Sequence, residues 1–152
     1  MEKVTLFFCD ICGTFEMNHS FIIDSSELKK FIENLNKLTE YNNTNKIIFS
    51  LVTTENFDIV CSMEKQFKTY IKNDNIYIGK HIYYDGVNEV NKPYDIIEYI
   101  KKLELICDID YNIYYADDCE FFHLLLNEYL SDKYKINSII PKNNNNLTFN
   151  KV

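Results

Sequence analysis

The chain has 152 residues, a size suited to one domain, with 46% hydrophobic content, enough for a substantial core. Its formal net charge is −7, and all sixteen basic residues are lysine, so there is no guanidinium fork for bidentate phosphate recognition. Duplex nucleic acid is a poor partner for such an acidic surface, and no apolar run is long enough to span a bilayer.

Met1-Glu2-Lys3 leads straight into the apolar run Val4-Thr5-Leu6-Phe7-Phe8-Cys9, without the basic-then-apolar pattern of a secretory signal. A cytoplasmic protein is therefore expected. The run reads as a buried strand and stops at Asp10, with Gly13-Thr14 three residues on. Asp24-Ser25-Ser26-Glu27 reads as a capping box. Leu28, Phe31, Ile32, Leu35 and Leu38 follow at helical spacing. A polar break over 41–45 precedes a β-branched strand over 46–53, which ends at the hydroxyls of Thr53 and Thr54. A second helix is expected over about 55–72, with Val60, Met63, Phe67 and Ile71 inward.

Two short apolar runs, 76–78 and 81–84, flank Gly79-Lys80 and suggest a small β-hairpin, with Asp85-Gly86 as a turn and Tyr83-Tyr84 as an exposed aromatic pair. Pro93 suits the first turn of a third helix, whose apolar face is Ile96, Ile97, Ile100 and Leu103. Ile113-Tyr114-Tyr115-Ala116 is a buried strand ending at Asp117-Asp118. A fourth helix carries Phe122, Leu125, Leu126 and Tyr129, and a last strand over 136–140 closes at Pro141. One domain over 1–142 is expected, with a flexible Asn-rich tail over 143–152.

Strands alternate with helices throughout. This predicts an α/β fold: a three-layer, Rossmann-like parallel sheet with helices on both faces. In such a sheet the strand ends share one edge, where ligands bind. Asp10, Thr53 and the Asp117-Asp118 pair would then converge, and Lys92, just before the third helix, could add a cation. A carboxylate nucleophile, a hydroxyl, a lysine and an acidic pair suit phosphoryl transfer. Asp10 could form an acyl phosphate. Asp10 and Asp117 would offer Mg²⁺ the hard oxygens it needs, and Thr53 and Lys92 could hold the transferring oxygens.

The order and spacing of these residues resemble the four motifs of the haloacid dehalogenase superfamily. Asp10, Gly13 and Thr14 match the first, and Thr53 the second, with Ser50 as a weaker candidate. Lys92 matches the third, with Lys80 as rival, and Asp117-Asp118 matches the fourth. The resemblance implies a capless HAD-like core and a Mg²⁺-dependent phosphatase. Catalytic roles would fall to Asp10, Cys12, Thr53 and Lys92, substrate contacts to Gly13, Thr14 and Thr54, and metal binding to Asp10, Asp117 and Asp118. Its capless members act on macromolecules or borrow a neighbouring subunit as a lid, so a phosphorylated substrate, a protein partner and a homo-oligomer are all expectations.

The chain departs from the family at Cys12, where its phosphatases carry a second Asp that protonates the leaving group and then activates water. A thiol beside carboxylates holds its proton firmly, so hydrolysis should slow by roughly 10²–10⁴. The alternative is a disabled scaffold kept as a protein-binding or regulatory module. Cys9-x-x-Cys12 is also a C-x-x-C, but no second pair of ligands accompanies it to make a zinc site. Cys9, Cys61 and Cys107 have apolar surroundings and read as small core residues rather than disulfide partners. His123 reads as a packed histidine, and His19 as a loop residue near the first motif.

Overall fold

In the computed structural model, the described residues are 3–12, 14–15, 17–18, 20–44, 46–85, 90–106, 110–130, 133–134 and 136–141. Gly13, His19, Gly86, Cys107 and the expected tail over 143–152 therefore lie outside them. The elements run β1 (Lys3–Cys9), α1 (Ser25–Tyr41), β2 (Lys46–Thr53), α2 (Phe57–Tyr70), β3 (Ile76–Ile78), β4 (Ile82–Tyr83), α3 (Lys92–Ile106), β5 (Asp110–Ala116), α4 (Glu120–Leu130) and β6 (Ile136–Ile139).

The six strands form one sheet in the order β3-β2-β1-β5-β6, with β4 also on β2, and every pairing is parallel. This is the expected Rossmann-like α/β arrangement. Strand β1 is apolar at nearly every position because both of its faces are covered. Phe7 and Cys9 face the core beneath α1 and α2, with Leu28, Phe31, Leu35, Val60, Met63 and Phe67. Val4, Leu6 and Phe8 face the core beneath α3 and α4, with Ile96, Ile100, Leu126 and Leu130. On the first face, Phe49 and Phe67 rings pack with centroids 4.8 Å apart, and Phe7, Phe15 and Phe31 extend the aromatic cluster.

Local signals set the helix starts. Asp24 caps α1 by accepting the Glu27 N–H, and Asn56 caps α2 by accepting the Ile59 N–H. Helix α2 is thus shorter than the expected 55–72, and Ile71 is its C-cap, packed against the core. Asn91 caps α3, its side chain accepting the Tyr94 N–H at 3.2 Å, with Lys92 and Pro93 in the first turn. In α4 the inward residues are His123, Leu126 and Leu130, while Tyr129 is exposed. The i, i+3, i+7 spacing starting at the histidine defines the buried face.

The expected hairpin is not formed. Both β3 and β4 run parallel to β2, as two pieces of one edge strand. Phe49 pairs with Ile78 and Val52 with Ile82, so three steps along β2 match four along the edge, the count of a bulge. Gly79 donates its N–H to Phe49 O at 2.8 Å and stays on the ladder. A Cβ there would stand 2.6 Å from Ile48 Cγ2 and 2.7 Å from Ser50 Oγ, so this glycine serves close approach rather than a reversal. At the bulge the His81 imidazole replaces a backbone carbonyl: Nδ1 accepts the Leu51 N–H at 2.9 Å. Of the expected exposed pair, Tyr83 is exposed, its ring tilted against Phe57, whereas Tyr84 is half-buried and donates its hydroxyl to Asp95.

Candidate functional site

Sheet order fixes where a site can form. The chain builds outward from β1 to β2 and the edge strand, then returns to the other side of β1 through β5 and β6. The C-terminal ends of β1 and β5 therefore flank the switch point. Cys9 pairs with Ala116, and the Asp10 N–H continues that ladder to Ala116 O at 2.8 Å. The next residues, Asp10 and Asp117, stand side by side at this rim.

Lys92 joins them. Its ammonium donates to Asp10 Oδ1 at 2.8 Å and to Asp117 Oδ2 at 3.0 Å, and all three side chains are buried. Burial opposes the ammonium's charge, but the two carboxylates more than offset this and hold its pKa above the ordinary lysine value. Lys80, the rival for this role, is exposed on the edge strand.

Asp10 is only partly compensated. Burial pushes its carboxyl from the ordinary 3.8 up to about 7, with Lys92 pulling it down and Asp117 pushing it up. Its Oδ2 receives a long bond of 3.4 Å from the buried Thr14 hydroxyl, so Thr14 rests on the Asp10 carboxylate. Asp117 is held more tightly. Tyr115 donates its hydroxyl to Oδ2 at 2.6 Å, and the Cys119 N–H donates to Oδ1 at 2.9 Å. His123 Nε2 donates to the Asp117 carbonyl at 2.8 Å, which confirms the histidine as packed, while its buried Nδ1 has no partner among the described residues.

One oxygen from each of Asp10, Asp117 and Asp118 falls within a 4.8 Å cluster, so these residues could hold a metal ion. Asp10 and Asp117 are buried and Asp118 is exposed. Desolvation and the adjacent Asp117 keep the Asp118 carboxyl above its ordinary value. The donors are hard oxygens, which suits Mg²⁺ or a similar cation. Charge agrees: three carboxylates face the single positive charge of Lys92, leaving two negative charges when all are ionised.

The other expected residues sit around this centre. Thr53 is buried at the end of β2, its hydroxyl accepting the Glu55 N–H at 3.1 Å, and Thr54 beside it is exposed. Ser50 lies earlier in β2, buried under Gly79 and away from the rim. Cys12 is exposed, and its thiol donates to Glu55 Oε1 at 3.3 Å. Partial desolvation and the Glu55 carboxylate push that thiol up to about 12. Cys9 points away into the core beneath α1 and α2, so the two ends of the C-x-x-C do not converge; both are free thiols.

Sequence reading missed Tyr115 and Glu55 as site residues. Tyr115 was accessible to it, because residues i and i+2 of a strand share a face, which places its hydroxyl beside Asp117. Glu55 carried no signal, since only the path of the loop after β2 brings it to Cys12. No protein-family model, curated protein or solved structure matches this chain.

Proposed function

We propose that this chain is a small phosphoryl hydrolase of haloacid dehalogenase type, working through an aspartyl-phosphate at Asp10. The observation that carries the reading is the buried Asp10–Lys92–Asp117 bridge at the switch point of a parallel sheet. Lys92 fixes Oδ1 of Asp10 and leaves Oδ2, with only the long Thr14 bond, as the oxygen free to attack phosphorus. Attack forms the Asp10–phosphorus bond as the ester oxygen departs, and water later releases phosphate. Lys92 also supplies positive charge where the transferring oxygens gather, in a site too buried for bulk water to screen it. Tyr115 and the Cys119 N–H keep the Asp117 carboxylate in place.

Asp10, Asp117 and Asp118 would hold Mg²⁺, which when bound would neutralise charge between the anionic nucleophile and the phosphate. The test is turnover of 4-nitrophenyl phosphate in Mg²⁺ by native protein and Asp10→Asn, with intact mass after acid quench. A native phosphoryl adduct and turnover, both lost in Asp10→Asn, are expected. Turnover that survives in Asp10→Asn overturns the reading.

The Cys12 thiol, held near 12, favours a second reading in which the scaffold keeps its site but has lost turnover and serves as a protein-binding module. Under that reading Cys12→Asp restores a missing acid–base group and raises turnover strongly.

A further inference from the structure

We infer that Glu55 is the general acid and base of this site, filling the role that Cys12 has vacated. The inference rests on the phosphatase reading above and adds the proton donor that reading lacks.

The placement is specific. Cys12 lies two residues beyond Asp10, and its Sγ is one hydrogen bond, 3.3 Å, from Glu55 Oε1. Strands β1 and β2 are neighbours, with Cys9 paired to Leu51, so the loops that carry Cys12 and Glu55 leave the same rim side by side. Glu55 is held at both ends. Behind it, the buried Thr53 hydroxyl accepts its N–H. Ahead of it, Asn56 caps α2. Among the described residues, Cys12 is the one side chain bonded to the Glu55 carboxylate, which leaves it free to meet a substrate. Glutamate is a common general acid and base, whereas the Cys12 proton is already committed to Glu55 Oε1. The thiol acts as a donor that orients Glu55.

The proton balance closes in two steps. As the Asp10 oxygen bonds to phosphorus and the phosphorus–ester oxygen bond breaks, protonated Glu55 gives its proton to the departing oxygen. The resulting Glu55 carboxylate then takes a proton from water as the water oxygen bonds to phosphorus. The Asp10–phosphorus bond breaks, releasing inorganic phosphate and restoring both side chains. A leaving group that needs a proton depends on Glu55 in both steps, whereas a good leaving group depends on it only in the second.

The experiment compares native protein, Glu55→Gln and Glu55→Asp in Mg²⁺, with phenyl phosphate and 4-nitrophenyl phosphate as substrates. Thermal melts check folding, and acid-quenched intact mass reads the phosphoryl adduct on Asp10. Glu55→Gln should lose roughly 10²–10⁴ in phenyl phosphate turnover. It should still be phosphorylated by 4-nitrophenyl phosphate and accumulate the adduct, because water is no longer activated. Glu55→Asp should recover part of the rate, which a purely structural role does not predict. Glu55→Gln turning over phenyl phosphate at the native rate, without adduct accumulation, overturns this inference alone. A native protein that neither turns over nor carries the adduct overturns the phosphatase reading and this inference with it.

Discussion

Replacing Lys92 with Met is the sharpest test of the site, because it removes one buried positive charge and keeps most of the side-chain volume. Asp10 and Asp117 are 4% and 1% exposed, so neither can recover hydration without distorting the rim. Removing one partner of a buried ion pair costs about 3–5 kcal/mol. For a chain of this length that lowers Tm by roughly 6–20 °C.

The pH dependence has a definite sign. Native Asp10 is raised from 3.8 to about 7, so the folded state binds more protons than the unfolded chain between those values. Stability from this group is therefore greatest at low pH and falls as pH rises to about 7, by roughly 4 kcal/mol in all. Without Lys92, the main influence lowering Asp10 is gone, its pKa climbs further, and the decline continues above pH 7. Native and Lys92→Met stability curves should diverge between pH 7 and pH 9. Thermal melts followed by circular dichroism in EDTA, at half-unit pH steps, measure this. Equal Tm values for the two proteins at pH 8 would refute the claim that a buried charge bridge holds the rim together.

Further outcomes concern the carboxylate cluster and the edge strand. Mg²⁺ should raise the native Tm, with a gain of about 1.4 kcal/mol at ten times its Kd. Because it competes with the proton on Asp10, calorimetric affinity should strengthen from pH 6 to pH 8, and Asp117→Asn should abolish the shift. At the edge strand, His81→Phe removes the acceptor of the Leu51 N–H and should cost about 1–3 kcal/mol at pH 7.5. Burial holds the His81 pKa below 6.5 despite the Glu64 carboxylate 2.9 Å from Nε2. The native histidine's contribution is thus present above pH 6.5 and fades as pH falls below it, so urea titrations should show a smaller cost at pH 5.

Much of the architecture was legible in the chain because its causes are local. Helix α1 announces itself through Asp24 and the spacing of Leu28, Phe31, Ile32, Leu35 and Leu38, all buried as expected. Strand β2 runs from Lys46 to Thr53 as its β-branched run suggests. A strand apolar on both faces implies cover on both sides, and alternation with helices implies parallel pairing. From parallel pairing it follows that Asp10, Asp117 and their neighbours gather at one rim.

Register and partner choice were decided only by tertiary structure, since they depend on distances between residues far apart in sequence. The apolar runs 76–78 and 81–84 suggest a small hairpin, yet packing of Gly79 on Ile48 and Ser50 keeps the strand going in one direction, and His81 completes the ladder. Two lysines fit the third motif by spacing, but α3 aims Lys92 at the carboxylates and the edge strand leaves Lys80 in solvent. Glu55 meets Cys12 across 43 residues, through a loop whose path is set by Thr53 and Asn56 rather than by its own sequence pattern. Pattern fixes which side chains turn inward, because burial repeats with the period of each element. Which of them touch depends on the packing of whole elements, and no local window contains that information.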